Sequence, residues 1–295
     1  MHLLKLRYML LSCLITVVSV ACGTPQTAPR RTAERQLDVP YVSTPHEVVA
    51  EMLRLANVTR NDVVYDLGCG DGRIVIAAAQ QYGARGTGVD LDPQRIMEAE
   101  AKARQARVET RVRFLQQDLF ETDLRDATVV TLYLLPQVNL QLRPILLRDL
   151  RPGTRVVSHE FSMDDWRPDH STQEQDSNIY LWIIPAQVAG TWAWTPPGAT
   201  EPYTLRLTQQ YQRVNGTLQA NGMEMALTDV VLVGDHLRFA ALPPGQAQPV
   251  WLAFDGHVQN NTLVGHVETP GTTAAQRSSV WLRADGPPPH AAKPR

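Results

Sequence analysis

The stretch Asp66-Leu67-Gly68-Cys69-Gly70-Asp71-Gly72 sets three glycines at alternate positions between an apolar run, Val63-Val64-Tyr65, and a helical pattern beginning at Ile74. Glycines in a strand-to-helix turn let a ligand reach the backbone and meet the N–H groups exposed at the helix start. The spacing is GxGxG; Arg73 stands where a dinucleotide-binding GxGxxG needs its last glycine. Asp66, two positions ahead of Gly68, would repel a pyrophosphate and suits a cationic amine. Asp90 and Asp118 fall at the ends of the next two strand patterns, so carboxylates follow three successive strands. Asp118 also stands where a helix N-cap would stand ahead of Leu119, and that use remains open. Cys69, between glycines, reads as a tolerated small residue rather than a nucleophile. His159 and Glu160 close a later strand, either as a structural pair or as active groups. The eight histidines show no metal-ligand spacing.

Positioning these side chains requires alternating strands and helices, and from about Asp38 the sequence supplies them, predicting an α/β fold with a mostly parallel sheet. Thr44-Pro45-His46-Glu47 offers an N-cap, a first-turn proline and an N3 glutamate for a helix over 45–56. Further helices are expected over 74–82, stopped by Gly83, over 93–107, and over 136–150, where Pro144 should kink or divide the helix. Strands are expected over 63–65, 86–89, 112–115, 128–134, 155–160 and 179–184. Right-handed crossovers would bring their polar ends to one edge.

After Pro185 helical spacing gives way to short alternating runs, predicting a smaller antiparallel all-β domain, sandwich or barrel. Its strands are expected over 191–194, 204–211, 217–220, 230–233, 236–240, 250–254, 263–268 and 280–284. Asn215-Gly216, Asn221-Gly222, Gly234-Asp235, Asp255-Gly256 and Asn260-Asn261 are the hairpin signals. Trp192, Trp194, Trp251 and Trp281 are expected to fill its core, with a carbohydrate or peptide surface on one or two of them as the alternative.

The acidic-x-Gly-x-Gly-x-Gly turn at Asp66 resembles the first motif of the class I S-adenosylmethionine-dependent methyltransferases. Gly86-Thr87-Gly88-Val89-Asp90 resembles the second motif and Leu115-Gln116-Gln117-Asp118-Leu119-Phe120 the third. The resemblance implies a Rossmann-like sheet and S-adenosyl-L-methionine as cofactor. Asp66 would hold its methionine amine beside the Gly68, Gly70 and Gly72 turn, Asp90 both ribose hydroxyls, and Asp118 the adenine amino group, while Leu91 and Leu119 cover the ring. A finer resemblance lies in Pro40 to Pro45, Asp62 to Arg73 and Thr131-Leu132-Tyr133-Leu134-Leu135-Pro136. These segments look like the family that includes the mitochondrial ATP synthase c-subunit lysine methyltransferase, whose members are membrane-anchored and methylate protein lysines. The fourth-strand segment is not the Asn-Pro-Pro-Tyr type of base and glutamine methylases. The reaction so implied is an in-line displacement that asks the protein for alignment, desolvation and a neutral nucleophile. Tyr41 and Tyr133 are the candidates for an aromatic acceptor entrance; each has packing as its alternative role.

The chain has 295 residues, 43% hydrophobic and 20% charged, with 28 Lys+Arg against 30 Asp+Glu, which excludes a disordered tail protein and gives no electrostatic reason to expect nucleic acid. That length predicts two domains, here 38–185 and 186–285, with a tail over 286–295. Cys13, Cys22 and Cys69 are too few and scattered for a disulfide scaffold. Lys5 and Arg7, the apolar stretch over 8–21 and Ser19-Val20-Ala21-Cys22 resemble a bacterial lipoprotein signal in which Cys22 is lipidated; an uncleaved anchor is the alternative. Residues 23–37 read as a flexible linker.

Two functions follow. The first is a methyltransferase held at a membrane through its N-terminus and acting on a protein lysine, with the side of the membrane open because S-adenosylmethionine is cytosolic. The second is an exported, non-catalytic binding lipoprotein acting through the β domain. An NAD-dependent oxidoreductase is disfavoured by Arg73 and Asp66.

Overall fold

Strand by strand, alternate side chains feed two different apolar layers. The computed structural model describes residues 42–243, 251–269 and 278–285; Cys22, Tyr41, the targeting segment and the proline-rich end lie outside them. The first region runs α1 (His46–Leu55), β1 (Val63–Leu67), α2 (Arg73–Ala77), β2 (Arg85–Asp90), α3 (Pro93–Gln105), β3 (Val112–Gln116), β4 (Val129–Leu132), α4 (Pro136–Asp149), β5 (Arg155–His159), β6 (His170–Glu174) and β7 (Ser177–Ile183). The sheet order is β3-β2-β1-β4-β5-β7-β6, parallel through β5, with β7 and β6 antiparallel. Val64, Val129, Val157 and Leu181 pack with α1, α2 and α3, while their neighbours Tyr65, Val130, Val156 and Trp182 pack with α4. The period of two along a strand thus builds a Rossmann-like sheet between two helical layers.

Local differences from expectation have local causes. Pro45, not Thr44, is the N-cap of α1, and no side chain caps it, because the Thr44 hydroxyl is committed to His159 Nδ1 at 3.2 Å. Past α2 the helix widens into a π turn over Ala78–Tyr82 before Gly83, at φ +70°, ends it. Pro144 does not divide α4; the buried stripe Val138, Leu142 and Leu146 spans it and carries the helix to Asp149. β6 was not expected: its residues His170-Ser171-Thr172-Gln173-Glu174 are polar because it is an edge strand, and its turn, Gln175-Asp176, takes φ of +48° and +61° without a glycine.

The second region is a closed antiparallel barrel, which resolves the sandwich-or-barrel alternative. Its strands are β8 (Gly190–Trp194), β9 (Tyr203–Gln210), β10 (Arg213–Ala220), β11 (Met223–Val233), β12 (His236–Leu242), β13 (Leu252–Gln259), β14 (Thr262–Glu268) and β15 (Ser278–Arg283). Closure comes from β15 pairing with β8, Leu282 opposite Ala193 and Arg283 opposite Trp192. Trp192 and Trp281 are fully buried, and Trp194 and Trp251 pack partly buried against the same core.

Asn221-Gly222, Gly234-Asp235 and Asn260-Asn261 do turn hairpins, but Asn215-Gly216 and Asp255-Gly256 lie inside β10 and β13. Gly256 faces Gly265 of β14 so closely that a Cβ on it would stand 2.6 Å from the Gly265 Cα. That glycine serves the close approach of two paired strands, not a turn. The β9–β10 turn is instead Tyr211-Gln212, with Tyr211 at φ +57°. β11 begins earlier than expected and tolerates its polar residues through a bulge between Thr228 and Val231. Among the described residues no helix is long and apolar enough to cross a membrane.

Candidate functional site

The strand order decides the site, because β1, β2 and β3 are consecutive neighbours and the ends carrying Asp66, Asp90 and Asp118 therefore share one edge. Gly68, Gly70 and Gly72 adopt φ of +80°, +52° and +76°. A Cβ on Gly68 would lie 2.8 Å from Leu134 Cδ2, and one on Gly72 would lie 2.6 Å from the Phe114 ring. Conformation and space both demand glycine at these two positions. The Gly68 and Cys69 N–H groups donate to the Val89 carbonyl at 2.8 and 2.9 Å, folding the turn back over β2.

Asp90 organises the turn. Its Oδ2 accepts from the Gly70 N–H at 2.8 Å and its Oδ1 from the Asp92 N–H at 3.0 Å. Each carboxylate oxygen keeps a lone pair, so the half-buried group can still accept a pair of vicinal hydroxyl protons. Asp118 caps a short 3-10 helix, Leu119–Glu121, by accepting the Phe120 N–H at 3.0 Å. Leu91 and Leu119 flank these acids, half-buried.

Asp66 is buried, and its Oδ1 accepts from Thr131 Oγ1 of β4 at 2.7 Å. Desolvation pushes its pKa up to about 7, with Asp90 and Asp71 adding to the rise. A cationic ammonium at this edge would return it to the ionised state. We expect S-adenosylmethionine affinity to weaken as pH falls below about 7, where Asp66 takes up a proton, and again above about 8, where an α-amino group loses its charge. Calorimetric titration across that range checks this; in Asp66→Asn the acid limb should disappear, and its persistence there would remove Asp66 from the explanation. The same burial drives the Cys69 thiol far above its ordinary value, so it supplies no thiolate.

Asp71, which sequence reasoning did not single out, is buried behind the turn. Arg73 reaches it through Nε at 2.9 Å and Nη2 at 2.6 Å, and Lys102 of α3 through Nζ at 2.6 Å. These cations hold its carboxyl well below the ordinary value against the opposing effect of burial. Arg73 Nη1 also donates to the Thr44 carbonyl at 2.7 Å, joining the turn to the start of α1. The expected glycine of a dinucleotide turn is thus an arginine with a structural task.

A second group forms where β4 and β5 end. Tyr133 and His159 have ring centroids 3.9 Å apart, and Phe161 is stacked with Tyr133 at 6.4 Å. His159 is buried, which depresses its pKa and leaves the imidazole neutral at pH 7. Asn139, in the first turn of α4, donates to the Phe161 carbonyl at 3.2 Å and to Ser158 Oγ at 3.3 Å. Tyr133 and His159 thus stand in one aromatic wall, and His159 does not pair with Glu160: its Nδ1 meets Thr44 Oγ1, while Glu160 is held by Asn178 of β7. Phe161 and Asn139 were missed by sequence reasoning; the signal for Asn139 is a polar residue on the apolar face of α4.

Anionic edge, hydroxyl acceptors and glycine turn fit the ammonium and ribose of S-adenosylmethionine. Residues 66–170 match the ANTKMT methyltransferase domain. A protein-lysine N-methyltransferase of Saccharolobus islandicus is 46% identical, covering 50% of this chain and 94% of that protein. The ATP synthase c-subunit lysine N-methyltransferase of Mus musculus is 33% identical, covering 59% of this chain and 68% of that protein. Among solved structures, an RNA methyltransferase from Salinibacter ruber in complex with S-adenosyl-L-homocysteine is 53% identical, with a TM-score of 0.49, covering 50% of this chain and 96% of that one. Motif, turn geometry and relatives agree: the chain belongs to the ANTKMT methyltransferase family and is an S-adenosylmethionine-dependent methyltransferase.

Proposed function

We propose that the protein methylates the side-chain nitrogen of protein lysines presented at a membrane surface. The carrying observation is the aromatic wall of Tyr133, His159 and Phe161 on the same strand edge as the carboxylate turn. Two curated relatives named for lysine N-methylation support the acceptor class.

Bound S-adenosylmethionine supplies a methyl group on a sulfonium, activated for displacement by a neutral nitrogen. Asp90 would hold the ribose, Asp66 the ammonium and Asp118 the adenine amino group, with Leu91 and Leu119 along the ring. A lysine ammonium, with an ordinary pKa of about 10.4, must first give its proton to bulk water at the entrance, and the apolar wall favours that by disfavouring the charged form. Neutral His159 adds no charge against the approaching chain. The lysine lone pair then forms the N–C bond as the S–C bond breaks.

Presentation at a membrane rests on the lipoprotein-like N-terminus and Cys22, which lie outside the described residues. Incubating the protein and labelled S-adenosylmethionine with a membrane extract tests both acceptor and context. Label is expected in methyl-lysine of membrane proteins, and Tyr133→Ala should slow transfer about tenfold or more with cofactor affinity within about twofold of wild type. Label in RNA or in a small molecule instead of lysine would overturn the reading.

A further inference from the structure

The loop from Glu160 to Asp169 joins β5 to β6, starting at the aromatic wall, and the barrel holds it at its middle. Glu160 and Asp164 carry φ of +66° and +56°, conformations that cost a non-glycine residue energy and persist only where the surroundings impose them. At the wall, the Phe161 N–H bonds the His159 carbonyl at 2.8 Å across Glu160, and Glu160 is pinned by Asn178 of β7. At the middle of the loop, Trp166 is fully buried and stacks on Tyr211 with centroids 5.6 Å apart. Its indole N–H donates to Gln212 Oε1 at 3.0 Å, and Gln212 Nε2 returns a bond to the Arg167 carbonyl at 2.7 Å. The Tyr211 hydroxyl donates to Asp165 at 3.1 Å, and Asp165 accepts Arg143 of α4 at 2.6 Å. Arg143 also takes the Met163 carbonyl at 2.9 Å, within the same loop.

We infer that the β9–β10 hairpin is a positioning device for methyl transfer, and that Gln212 and Tyr211 hold the loop that sets Phe161 against Tyr133. This inference rests on the proposed acceptor site and gives the barrel a role in it. Neither residue is expected to touch cofactor or acceptor. Gln212 matters because the indole it accepts is buried, and a buried donor without a partner is costly enough to reopen the loop.

The test uses the full chain with Gln212→Ala and, as control, His257→Ala on the exposed barrel surface. Hydrogen exchange followed by mass spectrometry should show faster exchange over 160–169 in Gln212→Ala and unchanged exchange over 66–72. Labelled transfer to the membrane extract should fall about tenfold in Gln212→Ala through acceptor KM or kcat, with S-adenosylhomocysteine affinity within about twofold and His257→Ala like wild type. Trp166→Phe, which removes the indole donor, should make the further loss on Gln212→Ala much smaller than in the wild-type background. Unchanged exchange over 160–169 would overturn the inference, as would cofactor affinity falling in step with transfer. Wild-type protein that labels no lysine would overturn the proposed function instead, while the exchange result still decides whether the hairpin holds the loop.

Discussion

Asp90→Ala should abolish S-adenosylmethionine binding while the protein still melts in a cooperative transition. The side chain would accept both ribose hydroxyls, and hydrogen bonds to a charged acceptor contribute about 1.5–3 kcal/mol each, so the loss is about 3–6 kcal/mol, or more than about a hundredfold in affinity. The substitution also frees the Gly70 and Asp92 N–H groups, loosening the turn that must face the ligand. The fold should survive because Asp92, not Asp90, caps α3, through Gln94 N at 2.8 Å. Titration with S-adenosylhomocysteine beside a thermal scan separates the two effects. Wild-type affinity in this variant would remove the strand-end carboxylate from the binding account.

Stability rather than binding is the first casualty expected of Asp71→Ala. The carboxylate is buried beneath Arg73 and Lys102, and Arg73 is itself largely covered. Deleting the carboxylate strips largely covered Arg73 of its ion pair, while Lys102, 41% exposed, keeps Glu98 at 2.7 Å, so the cost falls at the low end for such a pair, about 3 kcal/mol. The midpoint of thermal unfolding should drop by about 6–12 °C. Because the folded state holds the Asp71 pKa below its ordinary value of 3.8, its contribution is fully present above that value and is lost as pH falls below it. Wild type and variant should therefore converge in strongly acidic solution. A constant gap between them down to that range would show that the carboxylate's charge is not what stabilises the turn.

Whether a feature was legible in the sequence depended on how local its cause is. The Gly68, Gly70 and Gly72 turn announces itself because positive φ admits few residues other than glycine, and Asp90 because a strand pattern ends on it. The α/β order followed from period-two and period-3.6 apolar spacing, which burial enforces. Hidden from sequence were residues whose meaning lies in a distant partner. Thr44 reads as a cap until His159, 115 positions away, claims its hydroxyl. Asn215-Gly216 and Asp255-Gly256 carry turn composition, yet they sit in strands because Gly216 and Gly256 relieve crowding by the Arg206 and Val264 carbonyls of the neighbouring paired strands. Asp71, Phe161 and Gln212 likewise acquire their roles only when separate elements meet. Tyr41 and Cys22, named from the sequence, fall outside the described residues.

The seam between β15 and β8 ties the barrel's entry to its exit. The Ala284 N–H reaches the Thr191 carbonyl at 2.8 Å, and Arg283 Nη2 takes the Gln187 carbonyl at 2.7 Å, so the segment leading into the barrel and the one leaving it run side by side. Fraying of the last strand would therefore be felt at once by the segment that enters the first, so the barrel opens at this seam only when its entry and exit loosen together.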